Sequence, residues 1–134
     1  HMSSSQSYSK YVIPHHSVMK EDRGKIKIRV VFDGSAKTQN GSINDHFLIG
    51  PKQQNDIRSV LLNFRTHAVV FVADIVKMFR NIWVSEEDRA YQHIVWRFDQ
   101  SEPLLTYQLN TVTYGLSCAP YLALRVLHQL REDE

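Results

Sequence analysis

The chain has 134 residues, of which 43% are hydrophobic and 22% are charged, the length and composition of one globular domain. The longest apolar run, residues 68–73, is much shorter than the roughly 18 residues that a membrane helix needs, so a transmembrane protein is excluded. The single cysteine, Cys118, excludes an internal disulfide and a zinc finger, and we expect an intracellular protein of the cytoplasm or nucleus.

The formal net charge of +2 is unevenly distributed along the chain. Residues 1–66 hold ten Lys and Arg against five Asp and Glu, whereas residues 67–134 hold six against nine. A basic half could line the path of a polyanion such as RNA or DNA. Lysines that protect an exposed strand edge would give the same pattern, so charge alone leaves both interpretations open.

The chain begins with His-Met and a serine-rich stretch, and we interpret residues 1–10 as a tag remnant or disordered leader, with the domain at residues 11–134. Residues 25–32 alternate basic and apolar side chains, which predicts a strand with one solvated face. Turn sequences at residues 33–35 and 40–42 predict that residues 36–51 form a long extended connection of the kind that is often functional.

Two helices and three further strands are predicted downstream. Asn55 or Asp56 can cap a helix over residues 55–66, and Ser117 can cap a second over residues 117–131, with Pro120 in its first turn. Residues 69–74 are predicted to be a buried central strand, and residues 91–98 and 104–109 a hairpin. The predicted fold is α+β, with a mainly antiparallel sheet and both helices packed on one face of it.

Asp74 ends the predicted central strand, where a buried carboxylate needs a cation or strong hydrogen-bond donors. One interpretation is a divalent metal ligand, because nucleotidyl transfer places two ions on carboxylates at such a strand end. The other is an aspartate that caps the following turn. Three smaller features are assigned structural roles: packing for His15-His16, core or rim positions for Trp83 and Trp96, and a small buried residue for Cys118.

Residues 71–82 resemble motif A of reverse transcriptases, in which the first metal-binding Asp is followed five residues later by an aromatic residue. The resemblance implies that Asp74 is the catalytic metal ligand and that Phe79 is a steric gate beneath the sugar of the incoming nucleotide. Residues 114–120 are similar to motif B, which implies that Tyr114 and Gly115 contact the nucleotide or the template base.

Residues 29–38 resemble the fingers strand and turn of the same enzymes, in which an Arg and a preceding Lys bind the triphosphate. Arg29 takes the first role, and Lys20 is the candidate for the second, with Lys25 as its rival. The whole pattern over residues 11–134 is most similar to the reverse transcriptases of BEL/Pao-type LTR retrotransposons. It implies fingers and a partial palm of a right-hand polymerase, with Mg²⁺, dNTP and an RNA or DNA template-primer as partners.

In this family a later motif C hairpin supplies further metal-binding carboxylates, and the sequence shows no equivalent of it. Asp133-Glu134 lies on a polar helix end without flanking β residues and is not a substitute. We therefore expect a fragment of an RNA-directed DNA polymerase that is inactive by itself. The alternative is a host-retained, non-catalytic module that binds nucleic acid, a second copy or another protein at the open palm sheet.

Overall fold

The computed structural model describes residues 2–4, 8–22 and 24–134 and shows a small α+β fold with two antiparallel sheets. Its strands are β1 (Met2–Ser4), β2 (His15–Asp22), β3 (Lys25–Phe32), β4 (His93–Trp96) and β5 (Leu105–Leu109), and its α-helices are α1 (Ile43–His46), α2 (Ile57–Thr66) and α3 (Ala119–Asp133). Two short 3₁₀ helices cover Met78–Asn81 and Arg89–Tyr91. Among the described residues, no helix has the length and hydropathy needed to span a bilayer.

The three-stranded sheet has the order β1-β5-β4, so β5 is its central strand. The predicted hairpin of residues 91–98 and 104–109 is confirmed as the β4–β5 pair, with Ile94 opposite Tyr107. Residues 2–4 lie in the segment interpreted as a leader and pair with residues 107–109 of β5, whereas residues 1 and 5–7 of that segment lie outside the described residues.

The second sheet is a two-stranded ribbon formed by β2 and β3. The strand predicted over residues 25–32 is confirmed with the same bounds, but the prediction that only one of its faces is solvated is wrong, because Ile26 and Ile28 are also exposed. Because side chains alternate between the faces of a strand, the register places Met19 beside Ile28 on one face and Lys20 beside Lys27 on the other. The ribbon therefore has one apolar and one basic face.

The core lies between β4, β5 and the start of α3. Seven apolar residues form it: Ile13, Ile43, Ile94, Leu109, Val112, Leu116 and Ala119. The helix predicted over residues 117–131 exists but begins two residues later, with Pro120 in its first turn, and it buries Ala119 and Ala123. Cys118, not Ser117, is its N-cap residue and makes no side-chain capping hydrogen bond.

The prediction for residues 69–74 is wrong, because they form no strand and are exposed. Val69, Phe71 and Val72 are 85%, 88% and 84% exposed. High β propensity stabilises a strand only when a neighbouring strand supplies hydrogen bonds and packing. The central place in the sheet is taken by β5, which has β1 and β4 on its two sides.

The helix predicted over residues 55–66 is confirmed over residues 57–66, where the Asp56 side chain accepts a hydrogen bond from Arg58 N at 2.9 Å. Its predicted packing on the sheet is not found, since none of its residues is buried. The apolar residues of α2 include Ile57, Leu61 and Leu62, and all three are exposed.

Candidate functional site

Two turns that are distant in sequence meet at Asn44 of α1. The Asn44 amide nitrogen donates to Gly115 O at 3.0 Å and to Ser35 Oγ at 2.9 Å, while its amide oxygen accepts the Ser117 N–H at 2.8 Å. The Asn44 backbone N–H donates to Gly34 O at 3.0 Å. This one side chain therefore joins the turn after β3 to the turn before α3.

Gly115 allows the two turns to approach each other. Its φ of 93° lies in the left-handed region, and a Cβ at this position would lie 2.2 Å from the carbonyl oxygen of Phe32. A side chain here would therefore be strained by its backbone conformation and would also meet a neighbouring main chain. Only glycine fits the turn as it is built.

Tyr114 connects this turn to the ribbon. Its hydroxyl donates to Val30 O at 2.7 Å, and its ring centroid lies 5.1 Å from that of Phe32. The ring centroids of Phe32 and His15 lie 6.1 Å apart, and those of His15 and Trp96 lie 5.7 Å apart. Together with Tyr114 these residues form a row of four rings. The row confirms the predicted packing role of His15.

A cleft of about 390 Å³ lies beside this aromatic row, within the size range of ligand pockets. Its lining includes Val30 and Phe32 from β3, Arg80 from the first 3₁₀ helix, and Tyr114. The rest is mainly apolar, with two threonines, and includes Ile94, Leu109, Thr111, Val112 and Thr113. The cleft thus combines flat rings with one cation.

The position of Arg80 is set by the backbone on both sides of it. Lys77 has a φ of 53°, the one non-glycine residue with positive φ in the described part of the chain, and its carbonyl accepts the Arg80 N–H at 2.8 Å. Downstream, Val112 N donates to Ile82 O at 2.9 Å. Phe79 packs against the core, whereas its neighbour Arg80 reaches the cleft.

Three of the residues named from the sequence lie close together at this place. Tyr114 lines the cleft, Gly115 forms the adjoining turn, and Phe79 lies one residue before a lining residue. Phe79 itself is half-buried against the core and is not part of the lining.

Arg29 and Lys20 lie on the ribbon, on the face opposite to Val30. Arg29 pairs with Val18, and Lys20 with Lys27, so that the basic side chains share one face. Lys27 forms an ion pair with Asp22 on that face. Lys25, the alternative candidate to Lys20, lies opposite Asp22 in the strand register and belongs to the same face.

Asp74 is exposed and lies in the irregular segment between α2 and the first 3₁₀ helix, and it does not line the cleft. In the part of the chain that the structure describes, no group of three or more His, Cys, Asp or Glu side chains could hold a metal ion. The magnesium site that the resemblance implies at Asp74 stays a prediction.

Two ionisable groups near the joined turns have shifted pKa values. The Lys37 ammonium, 2.6 Å from Asp45 Oδ2, together with the Ser42 N–H at 2.8 Å, holds the pKa of the Asp45 carboxyl well below its ordinary value. Burial raises the pKa of the Cys118 thiol. Cys118 is half-buried, so it is less covered than the small buried residue that the sequence predicts.

Asn44 and Arg80 were not identified from the sequence. Asn44 lies in the stretch predicted to be an extended connection, and an asparagine in a loop has no spacing that reveals a contact 71 residues away. Arg80 directly follows Phe79, the aromatic residue of the motif A-like segment, and this adjacency is the sequence feature that could have identified it.

No protein-family model matches the chain, and no curated protein matches it. The resemblance to BEL/Pao reverse transcriptases therefore stays a prediction from the motifs.

Proposed function

We propose that this chain is a reverse transcriptase-like fingers and partial palm segment whose cleft binds a nucleotide. One observation carries the proposal: the three segments that resemble polymerase motifs converge on one cleft. Val30 and Phe32 come from the fingers-like strand, Arg80 from the motif A-like segment and Tyr114 from the motif B-like turn. These segments are about 35 to 50 residues apart in sequence, so the fold brings them together.

The lining suits the two parts of a nucleotide. The rings of Trp96, Phe32 and Tyr114 offer flat apolar surfaces on which a base can stack. The guanidinium of Arg80 offers paired donors to phosphate oxygens. The parent activity implied by the resemblance is RNA-directed DNA polymerisation with Mg²⁺, and for this chain we propose nucleotide binding without a metal-dependent step.

Fluorescence of Trp96 tests nucleotide binding directly. In a Trp83→Phe variant, Trp96 is the remaining tryptophan, and titration with a dNTP should change its emission in a saturable way. In a Trp96→Phe variant, which keeps Trp83 outside the cleft lining, the dNTP should produce a much smaller change. Equal responses in the two variants, or none in either, would contradict a nucleotide site in the cleft.

The basic face of the ribbon is proposed to bind the backbone of the template-primer. Lys20, Lys27 and Arg29 share this face and are exposed. Each phosphate that such a side chain neutralises releases counterions and adds to affinity in a salt-dependent way. Reversing the charges of Lys20, Lys25, Lys27 and Arg29 should abolish this salt-dependent RNA binding, whereas unchanged RNA affinity would show that the face is only solvated.

A second candidate function is a non-catalytic module that pairs with a second copy of the chain. Residues 69–73 are apolar and exposed, and within the described residues their backbone makes no hydrogen bond. Such a segment of β-forming residues adds readily to an open strand edge.

The open edge that this segment fits belongs to β3. Asp33 N donates to Pro14 O at 2.8 Å, so Asp33 and Pro14 form a hydrogen-bonded pair of the ribbon. Because hydrogen-bonded and non-hydrogen-bonded pairs alternate along an antiparallel ladder, the backbone N–H and C=O groups of Ile26, Ile28 and Val30 point away from β2. Tyr114 covers this edge at Val30, which leaves Ile26 and Ile28 open. The nearby lysines would also attract the carboxylate of Asp74.

Light scattering on the purified chain separates the two candidates. Pairing through residues 69–73 predicts a dimer at micromolar concentration that dissociates on dilution and is lost in Phe71→Lys. The exposed Phe98→Lys, in the β4–β5 connection, is the matched control and should keep the dimer. A monomer at all concentrations would contradict the second candidate and leave the nucleotide proposal unaffected.

A further inference from the structure

The cation that faces the cleft differs from the cations on the ribbon. Arg80 lines the cleft next to the aromatic row, and no ion pair or side-chain hydrogen bond in the described part of the chain occupies its guanidinium. An arginine without an acidic partner beside apolar rings keeps its full charge available to a ligand. Its chemistry complements an anion carried by an aromatic group.

The ribbon arginine does not share this position. Arg29 lies opposite Val18 in the ladder, and strand alternation turns its side chain to the face away from Val30, which lines the cleft. Arg29 is not among the lining residues. A ligand seated among Phe32, Tyr114 and Trp96 would therefore meet Arg80 before it met Arg29.

The backbone of Arg80 is held in place more firmly than that of an arginine on a free loop, whereas its side chain is exposed. The left-handed Lys77 sets the direction of the 3₁₀ helix, and Phe79 anchors it in the core. The bond from Val112 N to Ile82 O fixes the chain two residues after Arg80. A residue with strained φ that the surrounding contacts hold in place is typical of a binding site.

We propose that Arg80 is the phosphate-binding residue of the cleft and that the aromatic row holds the ring of the same ligand. The ligand class is an aromatic phosphate, of which a nucleotide is one member. The inference that this ligand is a nucleotide rests on the function proposed above. The assignment of Arg80 to the phosphate rests on the geometry of the cleft alone.

The test compares ligands that differ only in the phosphate. Isothermal titration calorimetry follows binding of 1-naphthyl phosphate and of 1-naphthol, and in parallel of a dNTP and its nucleoside. Arg80→Gln should weaken 1-naphthyl phosphate binding about tenfold, the loss expected for a charge-assisted hydrogen-bonded pair, and leave 1-naphthol binding unchanged. Arg65→Gln, in the exposed helix α2 and outside the cleft lining, is the matched control and should change neither affinity.

Each outcome decides one of the two ideas. If Arg80→Gln leaves the preference for 1-naphthyl phosphate over 1-naphthol intact, or if Arg65→Gln abolishes it as well, the assignment of Arg80 is wrong. If the preference depends on Arg80 but no dNTP binds, the assignment stands and nucleotide binding is wrong. If none of the four ligands binds, both are wrong. Circular dichroism of the variants controls for unfolding.

Discussion

Asn44 and Ser117, 73 residues apart, are joined by two hydrogen bonds: the Asn44 amide oxygen accepts the Ser117 N–H at 2.8 Å, and the Asn44 carbonyl accepts the Ser117 hydroxyl at 3.5 Å. The first bond satisfies a backbone N–H in the turn that precedes α3. The link places the start of α3 against the turn that follows β3, and it thereby fixes one side of the cleft.

Asn44→Ala should destabilise the fold by about 2 kcal/mol, because it leaves the half-buried Ser117 N–H without its acceptor and removes the bond to the exposed Gly115 carbonyl. Urea denaturation followed by circular dichroism measures the free energy of unfolding. Asn40→Ala, in the same connection but with an exposed side chain, is the matched control and should change stability by less than about 0.5 kcal/mol. Equal effects of the two substitutions would contradict the role of Asn44.

Substitution of two glycines separates backbone strain from steric contact. In Gly24→Ala the new Cβ meets no atom within 4 Å, so the free energy of unfolding should fall only because of the positive φ of 73°, by about 1 kcal/mol. Gly115→Ala has the same kind of penalty and in addition places Cβ 2.2 Å from Phe32 O, so we expect a loss at least twice as large. Thermal unfolding of both variants checks the order. A smaller loss for Gly115→Ala would show that the turn relaxes without cost.

Asp74→Asn should leave nucleotide affinity in the absence of metal unchanged, because Asp74 is exposed and does not line the cleft. Tyr114→Ala should reduce the same affinity, since it removes a ring from the cleft wall. The Trp96 titration measures both. A loss of dNTP affinity in Asp74→Asn would show that the segment of residues 69–74 closes over the ligand.

Stability should fall in acid partly through Asp45. Its folded pKa lies below the ordinary value of 3.8, so its ionised form contributes stability above that value, and the contribution is lost as the pH falls below 3.8 toward the folded pKa. Asp45→Asn should therefore be less stable than the parent at pH 7 and should differ from it less at pH 2. Lys37→Gln removes the main cause of the shift and should reduce the pH dependence. A constant difference between Asp45→Asn and the parent across this range would contradict the linkage.

Cys118 should react slowly with a thiol reagent in the folded chain. Burial raises the pKa of its thiol, so the fraction present as thiolate at pH 7.5 is smaller than that of a free cysteine. The rate of alkylation by iodoacetamide should increase when the chain is unfolded in urea. A folded chain that reacts at least as fast as the unfolded one would exclude a covered Cys118.

Local patterns in the sequence predicted the elements whose partners are close along the chain. The β4–β5 hairpin and the strand of residues 25–32 have periodic side chains and turn residues between strands, and both exist. The helix α2 was likewise predicted from its Asp56 cap and its spacing. These features depend on neighbours within about 15 residues.

Features that depend on distant partners were not predicted. Residues 69–74 have the composition of a central strand, but composition does not reveal that β5 already has a neighbour on each side. Of the residues named from the sequence, Tyr114 lines the cleft and Gly115 forms the adjoining turn, whereas Asn44 owes its place to a contact 71 residues away that no spacing shows.

The base of the ribbon is also a wall of the cleft, so the ribbon connects the cleft to the distant tip at Lys25. The ribbon is exposed on both faces over residues 16–21 and 25–30, and Tyr114 holds it at Val30. Five residues of strand, about 17 Å at about 3.4 Å per residue, separate that contact from the tip at Lys25, so a rotation of about 10° at the base moves the tip by about 3 Å. If the ribbon rotates about this base, a polyanion bound at its basic tip would change the width of the cleft, and a ligand that widens the cleft would move the tip.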